Sequence, residues 1–313
     1  MENITDKIKV VQVKDFYWYN IISPENSEID FLREKFKFHP LDLRDAHITK
    51  RAQRPQISPR EEYTFLVFLF PIYNRANRSI IPAEIDFFIG PNYLITLHDN
   101  RLLPLRDLFE QCEKYEYYRD QYIGRGPAFL LFAILEKLLL HCFPMLDHLA
   151  EDNQKIENNI FKNREREMVK EILLIKRNIV NFRSIMQSHR TIIRKLMDLN
   201  VKYFRIENYK IYFEQLFAQT KDIWEILDGH KESIDTLQET NESAISFRIN
   251  DVIKTLTLIS VIFLPLTLIS SIFGMNIVHI PIVNQPLGFW IILGFMALVL
   301  IMMLSIFKSK KWY

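Results

Sequence analysis

Between residues 250 and 271, neutral oxygen-bearing side chains recur on one side of a stretch without helix breakers until Pro265. Positions spaced alternately by 3 and 4 read Asn250, Ile253, Thr257, Ser260, Leu264, Thr267 and Ser271, which is one seam of a helix. Polar rungs alternating with aliphatic ones fit the wall of a pore whose hydrophobic constrictions gate by dewetting. The same residue types also let helices approach closely in lipid, and spacing alone leaves both readings open. Just beyond the seam, Gly274-Met275-Asn276 places a second amide.

Other groupings carry less chemistry. His39, Asp42, Asp45 and His47 offer nitrogen and oxygen donors, but their spacing matches no zinc motif and an amphipathic helix explains them. Cys112 and Cys142 lack CxxC spacing and read as packing residues in a reducing compartment. The chain contains no nucleophile elbow, P-loop, HExxH or paired-carboxylate arrangement, so an enzyme is not expected.

The seam needs an apolar surrounding, and the chain supplies one. The 53 positions of 255–307 contain no Asp, Glu, Lys or Arg, so all 40 basic and 38 acidic residues lie outside them. Within this gap, 287–307 is a run of 21 uncharged residues, which at about 1.5 Å per residue covers a hydrocarbon core of roughly 30 Å. A second run of 18 residues, 256–273, carries the hydroxyls and Pro265. Arg248 and Lys254 precede the first span and Lys308, Lys310 and Lys311 follow the second, whereas 274–286 has no basic residue. Both termini are therefore expected in the cytoplasm, with the protein in the cell membrane. Trp290, Trp312 and Tyr313 would act as interfacial anchors. Two spans cannot enclose an aqueous path, so transport would require several copies around an axis.

These extremes are hidden in the averages. The 313 residues are 49% hydrophobic with net charge +2 and mean hydropathy −0.03, values that suit an ordinary soluble protein. The charge is too small to argue for nucleic acid, and 24 Phe with 13 Tyr exclude intrinsic disorder. Residues 1–13 are charged and lack an apolar core, so no secretory signal is expected.

The 120 residues of 145–264 contain no proline and one glycine, Gly229, which predicts long helices. Ile172, Ile175, Ile179, Phe182, Ile185 and Met186 follow helical spacing. A turn is expected in 200–208 and a single helix from about residue 209 through 273. Residues 1–125 read as a small α/β domain, with strands over 10–19, 64–70, 85–89 and 93–98, helices over 29–36, 41–46 and 103–113, and a hairpin turn at Gly90-Pro91-Asn92. The expected layout is a cytoplasmic α/β domain (1–125), a long-helix stalk or funnel (126–251), a pore helix (252–273), an external loop (274–286), a second span (287–307) and a basic cytoplasmic tail (308–313).

Leu264-Pro265-Leu266-Thr267 and Phe273-Gly274-Met275-Asn276, at the outer end of the first of two C-terminal spans, resemble the signature of the CorA family of divalent-cation transporters. The preceding proline-free helix, the α/β domain and the lysine-rich tail extend the resemblance over nearly the whole chain. The resemblance implies a membrane homopentamer with the first span lining the pore. It implies that Asn276 forms an outer selectivity ring that meets the hydrated ion, with Gly274 and Met275 shaping its turn. Asn250, Leu256, Leu264 and Thr267 fall at positions that line the pore in the family; three lie on the seam and Leu256 sits one residue away. Lys308, Lys310 and Lys311 would form a basic collar at the cytoplasmic pore mouth, or contact lipid headgroups.

Magnesium suits this chemistry. It sheds water reluctantly, so neutral amide oxygens can hold the hydrated ion without stripping it. The expectation is a channel-type transporter that moves hydrated Mg²⁺, with Co²⁺ or Ni²⁺ as further cargo, and no covalent cofactor. Family members often carry acids in the outer loop, but 277–286 has none and its titratable group is His279, which keeps Zn²⁺ as an alternative cargo. Family members also sense Mg²⁺ through a stalk-helix carboxylate, and the matching position here is Gln215. Glu214, Asp222, Glu225 and Asp228 lie nearby and read as a solvated helix face, so no regulatory site is assigned. A reading from a different class is a membrane-anchored coiled-coil signalling or structural protein.

Overall fold

The structure is a computed structural model that describes residues 6–47, 54–199, 201, 203–204, 206–275 and 287–310. The chain divides into two compact units, Met1–Asn241 and Glu242–Tyr313.

The first unit is built on a six-stranded sheet. Its strands are β1 (Ile8–Val13), β2 (Phe16–Ile22), β3 (Gln56–Pro59), β4 (Thr64–Asn74), β5 (Ser79–Ile89) and β6 (Tyr93–His98), in the order β1-β2-β6-β5-β4-β3. Only β2 and β6 pair in parallel among the described strands. The single strand expected over 10–19 is two, because Lys14 takes a left-handed φ of 52° and Lys14-Asp15 turns the chain so that Val13 faces Phe16. β4 and β5 run past the expected 64–70 and 85–89. Pro71 and Pro82 face each other in a stretch where each strand has only one neighbour, so the missing N–H groups cost no ladder bond on the open side. β3, short and partly polar, lies on the sheet edge and was not anticipated.

Helices α1 (Asn26–Phe36) and α2 (Pro40–Ala46) cover one sheet face, where Leu32, Phe38, Leu43, Phe65 and Phe88 are buried together. The other face meets α3 (Leu103–Lys114), whose Phe109 packs edge-on to Trp18 at 4.8 Å between centroids. α4 (Glu116–Tyr122), α5 (Pro127–Leu140) and α6 (Cys142–Ile160) follow. α7 (Glu165–Met186) is pinned to the β4–β5 hairpin by Asn178, which accepts from the Ile80 amide and donates to the Arg78 carbonyl. α8 (His189–Met197) starts with His189 packed against Phe68 and Phe70.

α9 (Lys210–Phe273) is a 64-residue helix, about 96 Å of rise, with Pro265 inside it. In the first unit, its Phe213, Leu216, Thr220, Ile223, Leu227, Ile234, Leu237 and Asn241 are buried at steps of 3, 4 or 7. Lys176 of α7 bonds Asp235 at 2.7 Å, and Arg183 pairs with Asp228. Long helices are observed, with added breaks at 161–164, where Asn163 takes a left-handed φ of 61°, and at 187–188 between α7 and α8. α10 (Gly288–Ser309) lies in the second unit. Three segments are long and apolar enough to cross a membrane. Pro127–Ile160 is 61% buried in its most apolar window and belongs to the core of the first unit, whereas those of Lys210–Phe273 and Gly288–Ser309 are fully unburied.

Candidate functional site

The second unit sorts the faces of α9. From Leu258 onward one stripe is half-buried: Leu258, Ile262, Pro265, Leu266, Ile269 and Phe273. On α10, Ile292, Met296, Val299, Leu300, Met303 and Phe307 form a matching half-buried stripe. Leu258 and Ile262 share a cavity lining with Leu304 and Phe307, which puts the two stripes face to face.

Asn250, Ile253, Thr257, Ser260, Leu264, Thr267 and Ser271 are all exposed. At about 100° per residue they lie on nearly the opposite side of α9 from the stripe that meets α10. Leu264 is 70% exposed and Ile253 54%, so neither is packed against α10. Leu256 is exposed as well, at the flank of the seam. Close packing against α10 therefore does not account for the seam.

The hydroxyls on this face have defined polarity. Thr257 donates to the Ile253 carbonyl at 2.8 Å, Ser260 to Leu256 at 2.9 Å and Thr267 to Phe263 at 2.8 Å. Each proton is satisfied within the helix, as an apolar surrounding requires. The outward lone pairs are left as acceptors, the polarity that suits water molecules held by a cation.

At the end of α9 the Gly274 amide donates to the Ser270 carbonyl at 2.9 Å, and a Cβ on Gly274 would come within 3.0 Å of that oxygen. A side chain where the tripeptide begins would have to push that oxygen back by a few tenths of an ångström. Met275 is exposed. Asn276, His279 and the rest of 276–286 lie outside the described residues, as do Lys311, Trp312 and Tyr313. Lys308 and Lys310 are exposed at the end of α10. Lys308 also lines the cavity between the helices, a feature that the sequence signalled only through cations at the ends of both spans.

The acidic clusters have structural occupations. Asp42 accepts two bonds from Arg60, at 2.6 and 2.9 Å, and one from the Tyr63 hydroxyl at 2.6 Å. Burial and that hydrogen bond push the Tyr63 phenol up to about 12. His39 caps α2 through the Leu41 amide, Gln56 donates to Asp45, and His47 meets Asn26. These four residues do four separate jobs. On the stalk, Gln215 donates to Glu136 at 3.2 Å and Glu225 pairs with Lys221. No group of three His, Cys, Asp or Glu able to hold a metal occurs among the described residues. Cys112 and Cys142 are buried, and burial pushes the Cys112 thiol up to about 12.

Residues 13–310 match the family model of the CorA-like Mg²⁺ transporter protein. The cobalt/magnesium transport protein CorA of Thermotoga maritima is 25% identical over 94% of this chain and 83% of its own length. The complete structure of the CorA magnesium transporter from Methanocaldococcus jannaschii superposes with a TM-score of 0.83 at 20% identity, covering 97% of this chain and 94% of the other. The full-length CmaX structure gives 0.73 at 18% identity, covering 95% and 89%.

Proposed function

The chain belongs to the family of CorA-like Mg²⁺ transporter proteins, a family of divalent-cation transporters in the membrane, and from that premise we propose that it forms a homopentameric pore admitting hydrated Mg²⁺ to the cytoplasm. The observation that carries this reading is the exposed seam of α9, set away from α10 with its hydroxyl lone pairs outward. Five such seams around an axis would give rings of oxygen acceptors at Asn250, Thr257, Ser260, Thr267 and Ser271. Ile253, Leu256 and Leu264 would give apolar constrictions between them.

Asn276 would stand at the outer mouth, where an amide ring accepts hydrogen bonds from the ion's water without displacing it. Lys308, Lys310 and Lys311 would collar the inner end. A divalent ion gains about 4.6 kcal/mol per 100 mV of inside-negative potential, twice the single-charge value. That gain drives uptake without a nucleotide site. The acid-free loop with His279 makes Zn²⁺ the alternative cargo.

Flux of Mg²⁺, Co²⁺, Ni²⁺ and Zn²⁺ into proteoliposomes, with and without an imposed potential, tests the proposal. Mg²⁺ entry that rises with the potential and falls at least about tenfold in Asn276→Ala, a change worth ~1.4 kcal/mol, is expected. Zn²⁺ entry without Mg²⁺ entry would reject the magnesium assignment, and an unaltered Asn276→Ala would reject the filter.

A further inference from the structure

A cavity of about 920 Å³ lies between α9 and α10 where both spans meet their charged ends. Its rim carries Lys254 and Lys308 with Asp251, and its interior is lined by Leu258, Ile259, Ile262, Leu304 and Phe307 beside Thr255. Each helix brings a lysine to the edge and apolar side chains inward of it. On α9, Leu258 and Ile262 follow Lys254 one and two turns further in, about 6 and 12 Å by helical rise; on α10, Phe307 adjoins Lys308 and Leu304 lies one turn in, about 6 Å.

The polar groups on the rim leave a surplus of positive charge. Neither Lys254 nor Lys308 pairs with a carboxylate among the described residues, and Asp251 offers one negative charge against their two. The Thr255 hydroxyl spends its proton on the Asp251 carbonyl at 2.9 Å. Water alone is a poor filling for so apolar a lining, and a free anion would leave the interior unmatched.

We propose that this cavity binds an anionic phospholipid of the cytoplasmic leaflet, with its phosphate between Lys254 and Lys308 and an acyl chain against Leu258, Ile262, Leu304 and Phe307. Lysines at this boundary attract anionic headgroups by about 1 kcal/mol each, or about fivefold in affinity per lysine. The inference rests on both helices crossing the bilayer with these ends cytoplasmic. It does not depend on which ion is carried, so Mg²⁺ flux measured on the same preparation separates the two failures.

Native mass spectrometry of the full-length protein in detergent, titrated with phosphatidylglycerol or phosphatidylcholine, provides the test. The expected result is a preference for phosphatidylglycerol of about twenty- to thirtyfold. Lys254→Gln and Lys308→Gln should each lower it about fivefold. Lys310→Gln, which removes a charge at the same helix end but outside the cavity, should leave it within about twofold. Glycerol phosphate, which has the headgroup charge without the chain, should not compete. Equal retention of both lipids, no effect of the two lysine changes, or competition by glycerol phosphate would each overturn the proposal. So would absence of bound lipid because a neighbouring copy of the chain fills the groove.

Discussion

His98 lies fully buried between the Asn20 side chain, 2.9 Å from its Nε2, and the Asn100 amide, which donates to its Nδ1 at 3.0 Å. Burial lowers its pKa to about 4, and burial does the same to His189 behind Phe68 and Phe70. In the unfolded chain each titrates near its ordinary 6.5, so between about 6.5 and 4 the unfolded state holds the extra proton and stability falls as pH falls. Asp86 opposes them. Both of its oxygens are buried without a hydrogen-bond partner, and burial, then Glu84 and Asp45, raise its pKa, so folding there favours the protonated form. It holds at most one extra proton against two, so on acidification through the middle of that window the three groups together give a net loss of stability. Thermal unfolding of the full-length protein in detergent from pH 6.5 to 4.5 should show the decline, and His98→Asn with His189→Phe should remove it. A midpoint that rises on acidification would contradict the assignment. None of the three groups was marked by a sequence motif: Asp86 and His98 stand in or at the end of apolar strand runs, where a polar letter looks like a surface position, and His189 stands among polar residues at the start of α8.

The two faces of α9 in the second unit predict opposite mutational outcomes. Leu264→Asn, on the exposed seam, should raise ion leak severalfold in planar-bilayer recordings at unchanged expression, because it wets a constriction that dewetting would close. Leu258→Asn, on the stripe that meets α10, should instead lower the yield of folded protein, because it buries an amide between apolar helices. Equal effects at both positions would remove the distinction between wall and packing face. The membrane hairpin was legible from sequence because a charge-free stretch leaves few alternatives, and the seam was legible because its spacing is regular. The N-terminal hairpin was not. Lys14-Asp15 interrupts a β-branched run that reads as continuous, and Pro71 and Pro82 look like strand ends although they sit harmlessly on open edges. The direction of the seam relative to α10 was also beyond periodicity, which fixes a stripe but not its neighbour.

For the assembled molecule, the exposed aliphatic and hydroxyl surface of α9 and α10 requires either lipid or further copies of the chain to cover it. Mass measurement of the detergent-solubilised protein should give five copies of the 37.5 kDa chain, and a monomer or dimer would leave no enclosed path for a hydrated ion. To gate, the proposed pore would have to change its bore without losing its backbone bonding in lipid. Pro265 bears on how. Proline has no N–H, so the carbonyl one turn earlier, at Val261, already lacks its helical donor. A hinge placed there bends the span between Ser260 and Thr267 without breaking any hydrogen bond that the straight helix possessed. The elastic cost of flexing the wall is prepaid at that one residue, and in the proposed pentamer five walls with the same soft point would yield together.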